Sequence, residues 1–114
     1  MVAPTAFALH LLRHAHSSWA VAGERDHSRC LDDKGRQQIE RLSERLSGRF
    51  SELRNIVCSS AVRTRETLAG LRTALPADVR IEFSDDLYAL GTPAYAQAAA
   101  RLLSSGPTLL VGHN

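Results

Sequence analysis

Four side chains in this sequence are of the types needed to hold and attack a phosphoryl group: Arg13, His14, Arg63 and His113. Each stands just past a short apolar run. Phe7 to Leu12 empties into Arg13-His14, Asn55-Ile56-Val57-Cys58 into Ser59-Ser60-Ala61-Val62-Arg63, and Thr108-Leu109-Leu110-Val111 into Gly112-His113-Asn114. Continuous apolar runs of this length read as strands buried in a parallel sheet, whose ligand crevice lies at the carboxyl ends. The three tips are therefore expected to converge. Two guanidiniums beside a helix start make a pocket for a dianion. A neutral histidine there can attack phosphorus in line, while the arginines and the second histidine stabilise charge on the equatorial oxygens. The expected intermediate is a phosphohistidine on His14, later hydrolysed by water, and this chemistry calls for neither a metal nor another cofactor.

The elements that must position these groups follow from patterning. After the first strand, Ala15 to Asp33 is a long polar connection without sustained periodicity, of the kind that usually serves a site. A helix is predicted from Lys34 to Ser47, with Asp33 as N-cap, Ile39, Leu42 and Leu46 on one face, and Gly48 as its stop. Strand two, Asn55 to Cys58, leads into Ser59-Ser60, either of which can cap a helix that turns Thr64, Leu68, Leu71 and Leu75 inward and ends at Pro76. Alternation at Val79, Ile81 and Phe83 predicts a third strand, half buried and near an edge. Thr92-Pro93 opens a helix with Tyr95, Ala98 and Leu102 inward, and Gly106-Pro107 releases strand four. Strands alternating with helices predict a three-layer α/β/α sandwich with a mainly parallel sheet.

Composition sets the bounds. With 114 residues, 44% hydrophobic and 23% charged, the chain fits one compact domain. A formal charge of +2, without a basic patch or charged block, gives no footprint for nucleic acid. Two cysteines, Cys30 and Cys58, form no CxxC motif and read as free thiols. No apolar run approaches the roughly 20 residues of a membrane helix, and Met1 to Ala6 lacks the pattern of a signal peptide. The expected setting is cytoplasmic, away from membranes.

At this point the residues carry a resemblance. Arg13-His14-Ala15-His16-Ser17-x-Trp19 resembles the Arg-His-Gly signature of the histidine phosphatase superfamily, which also contains the phosphoglycerate mutases. Asp26-x-x-Arg29-x-Leu31-x-x-x-Gly35, then Ser59-x-Ala61-x-Arg63-Thr64-x-x-Thr67, then Val111-Gly112-His113-Asn114, are similar to the short, SixA-like phosphohistidine phosphatase branch. The resemblance implies a phosphoglycerate mutase-like fold, His14 as nucleophile, and Arg13, Arg63 and His113 as its partners in the phosphate pocket. Ser17, Arg29 and Ser59 are candidates for touching substrate or fixing its loop. Ala15 stands where many members have glycine, and Cys30 where the branch usually has proline.

Plainer readings compete for several residues. His10, His14 and His16 are evenly spaced and on a continued strand would mimic metal ligands, although no acidic ligand accompanies them. A packed strand histidine is the better reading of His10. Trp19 suits a loop anchor or a cleft wall. Asp26 and Arg29 read as a loop-fixing ion pair, Arg65, Glu66 and Arg72 as a solvated face, and Asp85-Asp86 as a loop, with a place at the cleft rim as the lesser alternative.

The expected activity is that of a metal-independent phosphatase acting on phosphohistidine or another phosphorylated small molecule or protein. A broad phosphomonoesterase and a non-catalytic phospho-ligand module are the rivals. The family pattern continues past Val-Gly-His-Asn into another helix, so residues 1–114 are expected to be one domain lacking its C-terminal part. Relatives that cleave alkyl phosphates carry a glutamate after strand three, and Ala89 stands near that place here.

Overall fold

The computed structural model describes residues 8–19 and 22–113. Four parallel strands, β1 (Leu9–Arg13), β2 (Asn55–Ser59), β3 (Arg80–Ser84) and β4 (Thr108–Gly112), lie in the order β1-β4-β2-β3. The helices are α1 (Asp33–Leu46), α2 (Val62–Leu71), α3 (Asp85–Ala89) and α4 (Thr92–Leu102). Right-handed crossovers explain the layering. The steps from β1 to β2 and from β2 to β3 both carry the chain away from β1, which puts α1 and α2 on one face. The step from β3 back to β4 reverses direction and puts α3 and α4 on the other. This is the expected three-layer α/β/α sandwich, with every strand parallel.

The strand period sorts the core between the two faces. Ile56, Cys58, Leu109 and Val111 pack beneath α1 and α2 with Ile39, Leu68 and Leu71, whereas Val57 and Leu110 meet Leu87, Ala94 and Ala98 on the other side. Burial of each large side chain in these layers contributes about 2 kcal/mol.

Departures from the sequence reading are local. Strand β1 is found where expected over Leu9 to Leu12 and runs on to Arg13, but its Phe7 start lies outside the described residues, and Leu9 and Leu11 are 41% and 69% exposed rather than buried. Those two side chains point to the α4 face, and α3 and α4 cover β4 and β2 but not β1. Helix α1 starts one residue early because Asp32, not Asp33, accepts from the Gly35 amide as N-cap, worth about 1 kcal/mol. Neither Ser59 nor Ser60 caps α2, whose N-cap is Ala61; both hydroxyls are turned toward histidines instead. Phe83 lies at the sheet edge, 52% exposed, with the Arg65 guanidinium 4.7 Å above its ring. Asp85-Asp86 is not a loop but the first turn of α3, capped by the Ser84 hydroxyl. Thr92 is the first residue of α4, whose N-cap is Gly91 at φ 67°, a conformation that glycine adopts without strain.

Candidate active site

The parallel register sets the strand tips side by side. Arg13 pairs with Gly112, Cys58 with Val111 and Ser59 with Ser84. Just past β1 the chain is pinned twice: His14 N donates to the Gly112 carbonyl at 3.0 Å, and Ala15 N donates to Thr67 Oγ1 at 3.0 Å. Thr67 in turn donates to the Arg63 carbonyl, tying the β1 tip to α2.

The His14 ring is oriented by its own neighbour. Nδ1 lies 2.7 Å from the Ala15 carbonyl. A carbonyl only accepts, so Nδ1 carries the proton and Nε2 holds the lone pair. Burial disfavours the charged ring and, with Arg63 and Arg13 nearby, outweighs the carbonyl bond and lowers the His14 pKa from its ordinary value. The ring is therefore neutral near pH 7, with Nε2 3.4 Å from Arg63 Nε.

Arg63, in the first turn of α2 and only 5% exposed, is the hub. Its Nε faces His14, Nη1 donates to the Asp26 carbonyl at 2.8 Å, and Nη2 reaches Asp26 Oδ2 at 3.1 Å and His113 Nδ1 at 3.4 Å. His113, the residue after β4, is held on three sides. Its backbone N–H donates to the Tyr95 hydroxyl at 2.8 Å, its Nε2 lies 2.8 Å from Ser59 Oγ, and its ring centroid is 5.3 Å from that of His14. Burial first, then Arg63 and His14, push the His113 pKa down to about 4. Tyr95 donates onward to the Leu87 carbonyl, and a Cβ at Gly112 would overlap the Tyr95 hydroxyl, so glycine is required there.

Asp26 and Tyr88 belong to the same cluster, which sequence reasoning did not reveal. Asp26 Oδ2 accepts from Tyr88 at 2.9 Å as well as from Arg63, while Oδ1 accepts from Arg29 Nε at 3.1 Å. Partial burial opposes ionisation of Asp26, but the bonds from Tyr88 and Arg63 outweigh it and hold the carboxyl below its ordinary range. The Tyr88 ring stands edge-on to His27 and to His113. His27 Nε2 meets Ser60 Oγ at 2.9 Å. The advance signals were Asp26's place in the loop motif and its expected pairing with Arg29, which the structure shows; 62 residues separate it from Tyr88.

The expected residues divide accordingly. His14, Arg63, His113 and Ser59 come together. Arg13 is an exposed residue at the wall of a cavity of about 450 Å³ that also touches His113, Tyr88 and Tyr95. Arg29 is buried, bonded to Asp26 and stacked 4.0 Å under Trp19, which makes Trp19 an exposed loop anchor. Ser17 does not face the pocket, since its hydroxyl donates to the Cys30 carbonyl and ties the loop to itself. The evenly spaced histidines separate: His10 packs edge-on to Phe50, and His16 pairs with Asp32. Among the described residues, no three His, Cys, Asp or Glu are grouped to hold a metal ion, and no helix is long and apolar enough to cross a membrane.

The chain is similar to known proteins. The chain is 31% identical to the Agrobacterium tumefaciens protein provisionally named phosphohistidine phosphatase SixA, with a TM-score of 0.83 over 93% of this chain and 68% of that one. A second provisional SixA, from Nakamurella multipartitia, is 34% identical with a TM-score of 0.76, covering 92% of this chain and 58% of that one. An uncharacterized chloroplastic protein of Arabidopsis thaliana is 34% identical over 82 residues, which are 70% of this chain and 38% of the relative. The chain thus spans well under half of that relative and 58% to 68% of the two solved structures. Residues 9–90 match the family model of the histidine phosphatase superfamily, branch 1. With that match and its SixA-like neighbours, the chain belongs to the histidine phosphatase superfamily, in its SixA-like branch.

Proposed function

We propose that this chain carries the catalytic centre of a phosphatase that uses His14 as nucleophile and acts on phosphohistidine, borne by a protein or a small molecule. The observation that carries the reading is the His14 ring: Nδ1 is tied to the Ala15 carbonyl, and the Nε2 lone pair is aimed into the space beside Arg63 and His113. Nε2 attacks phosphorus in line, the bond from phosphorus to the substrate nitrogen breaks with its electron pair going to that nitrogen, and the proton taken up beforehand on the other ring nitrogen lets the ring depart as neutral imidazole. Arg13, Arg63 and His113 stabilise the phosphoryl oxygens during transfer. Water then attacks phosphorus, the His14 nitrogen leaves with its electron pair, and inorganic phosphate and a proton are released. In this reading the guanidiniums supply the charge that a metal would otherwise supply.

The surroundings fit that reading. Cys58 is buried, its thiol pushed up to about 12 by burial, and Cys30 is an exposed free thiol, both compatible with a reducing cytoplasmic setting. The small net charge favours neither nucleic acid nor membrane as partner. The uncovered Leu9 and Leu11, together with the greater length of the relatives, support reading residues 1–114 as one domain that further chain completes.

The test is turnover of an aryl phosphate with a chelator present, beside His14→Ala. Activity that survives chelation and is lost in the variant is expected. Turnover that needs an added metal, or that persists without His14, would overturn the proposal.

A further inference from the structure

We infer that Asp26 is the positioning residue of this site: it grips the outer edge of Arg63 with both its carboxylate and its backbone carbonyl, and so aims the rest of the guanidinium at the two histidines. The inference rests on the reading of His14 as nucleophile and His113 as its partner in the phosphate pocket, and adds the group that holds their shared arginine in place.

A guanidinium has five N–H groups in a rigid fork. In Arg63 one Nη1 hydrogen is taken by the Asp26 carbonyl and one Nη2 hydrogen by Asp26 Oδ2. The opposite edge, formed by Nε and the second Nη2 hydrogen, is left to His14 and His113. A phosphoryl group arriving between the histidines therefore meets a two-pronged donor edge already turned toward it, the geometry that makes arginine effective on phosphate. Without the grip, the long side chain would have to be ordered by substrate itself, at a cost in rotamer freedom.

Asp26 is itself over-determined. Arg29 from its own loop, Arg63 from α2 and Tyr88 from α3 all donate to its carboxylate, so three parts of the fold fix one anion. This arrangement excludes a role as proton donor, because a carboxylate held by two cations and a phenol stays ionised. It goes further than fixing the loop, since the Asp26–Arg29 pair alone would do that and Arg63 would not be needed. Among the groups acting on His113 (Arg63 from α2, His14 from the β1 tip, Arg29 and Asp26 from the loop), Asp26 is the carboxylate, and it opposes the three basic ones. Ser59 and Tyr88 complete that ring's surroundings.

The experiment compares wild type with Asp26→Asn, Asp26→Glu and Tyr88→Phe in the protein. Two readouts are taken: kcat and KM on an aryl phosphate, and the titration of the His14 and His113 rings by NMR without substrate. Misplacement of a reacting group by about 1 Å can cost on the order of 10²-fold. Asp26→Asn is expected to lower kcat by about that factor while KM changes less, and to move the His113 titration to lower pH. Asp26→Glu is expected to restore the titration and part of kcat, and Tyr88→Phe to cause a smaller loss. An Asp26→Asn protein that keeps both kcat and the His113 titration overturns the inference. So does one that loses activity only in step with its folded fraction, its His113 titration unmoved, which would reduce Asp26 to a loop tie. A wild type that turns nothing over would refute the phosphatase reading, and the titration would still decide whether Asp26 governs the Arg63–His113 arrangement.

Discussion

Arg63 Nε lies 3.4 Å from His14 Nε2, on the side of the ring away from the Ala15 carbonyl that holds Nδ1. A guanidinium cannot accept a proton bond, so the nitrogen it faces must be the one with the lone pair. Arg63→Ala is expected to lose on the order of 10²-fold to 10³-fold in kcat/KM, the usual consequence of removing one charge-assisted stabiliser. Arg65 is two residues on, exposed and stacked over Phe83, and Arg65→Ala is expected to change the rate by less than about threefold. Equal losses in the two purified, folded variants would mean that α2 presents a different face to the phosphate.

The lowered histidine pKa values predict a pH profile of definite sign. As the proposed nucleophile His14 must be neutral to attack, and burial together with Arg63 keeps it neutral below the ordinary imidazole value of 6.5. The acid limb of kcat/KM, measured on a substrate that does not itself titrate there, should therefore fall below pH 6.5. Stability moves the same way. The folded His113 pKa of about 4 lies under the unfolded value of 6.5, so between those limits the unfolded chain binds more protons and stability falls as pH falls. Thermal melts at pH 7, 5.5 and 4 should decline in that order, and His113→Gln should flatten the decline. A wild-type melting temperature that rises on acidification would contradict the assignment.

Tyr95 gives a prediction about the scaffold. Its hydroxyl accepts the His113 amide and donates to the Leu87 carbonyl, bridging the β4 tip to α3. Tyr95→Phe leaves both groups without that partner, which costs about 1–3 kcal/mol each when they stay buried. The variant should melt several degrees lower and also lose activity, because the His113 amide loses the side chain that holds it. A variant as stable as wild type would show that water replaces the hydroxyl.

How much of this could be read in advance depended on range. Arg13, His14, Arg63 and His113 were legible because strand ends obey a rule: apolar runs place their last residues at one edge of a parallel sheet. The helices α1 and α4 were legible from periodicity, with errors of one residue where Asp32 competed with Asp33 and Gly91 with Thr92 as cap. Helix α3 was missed because five residues give no period, only a Ser84 cap and two acidic residues that also suit a loop. The exposure of Leu11 was missed because an apolar run does not say whether both faces of a strand are covered. The bond from Tyr88 to Asp26 had no sequence signal, for loop and helix meet only through the tertiary fold.

What lies around Tyr88 gives the proposed reaction a testable preference in leaving group. Asp85 and Asp86, the carboxylates nearest the place where alkyl-cleaving relatives carry a glutamate, are exposed in the first turn of α3. Ala89 offers no acid, and the Tyr88 phenol donates its proton bond to Asp26, which raises the Tyr88 pKa further. No carboxylic acid in this cluster is therefore placed to protonate a departing alkoxide. A positioned general acid contributes roughly 10²-fold to 10⁴-fold, and its lack weighs most on poor leaving groups. Phosphohistidine is less affected, because its ring nitrogen can take a proton before the bond to phosphorus breaks. Phosphohistidine peptides and aryl phosphates should thus be hydrolysed with kcat/KM at least about 10²-fold above an alkyl phosphate of similar size. Asp85→Asn and Asp86→Asn should leave all three rates within about threefold. If the alkyl substrate is cleaved as well as the others and one of these variants abolishes its cleavage alone, that aspartate reaches the site as the acid and the narrowing to phosphohistidine fails.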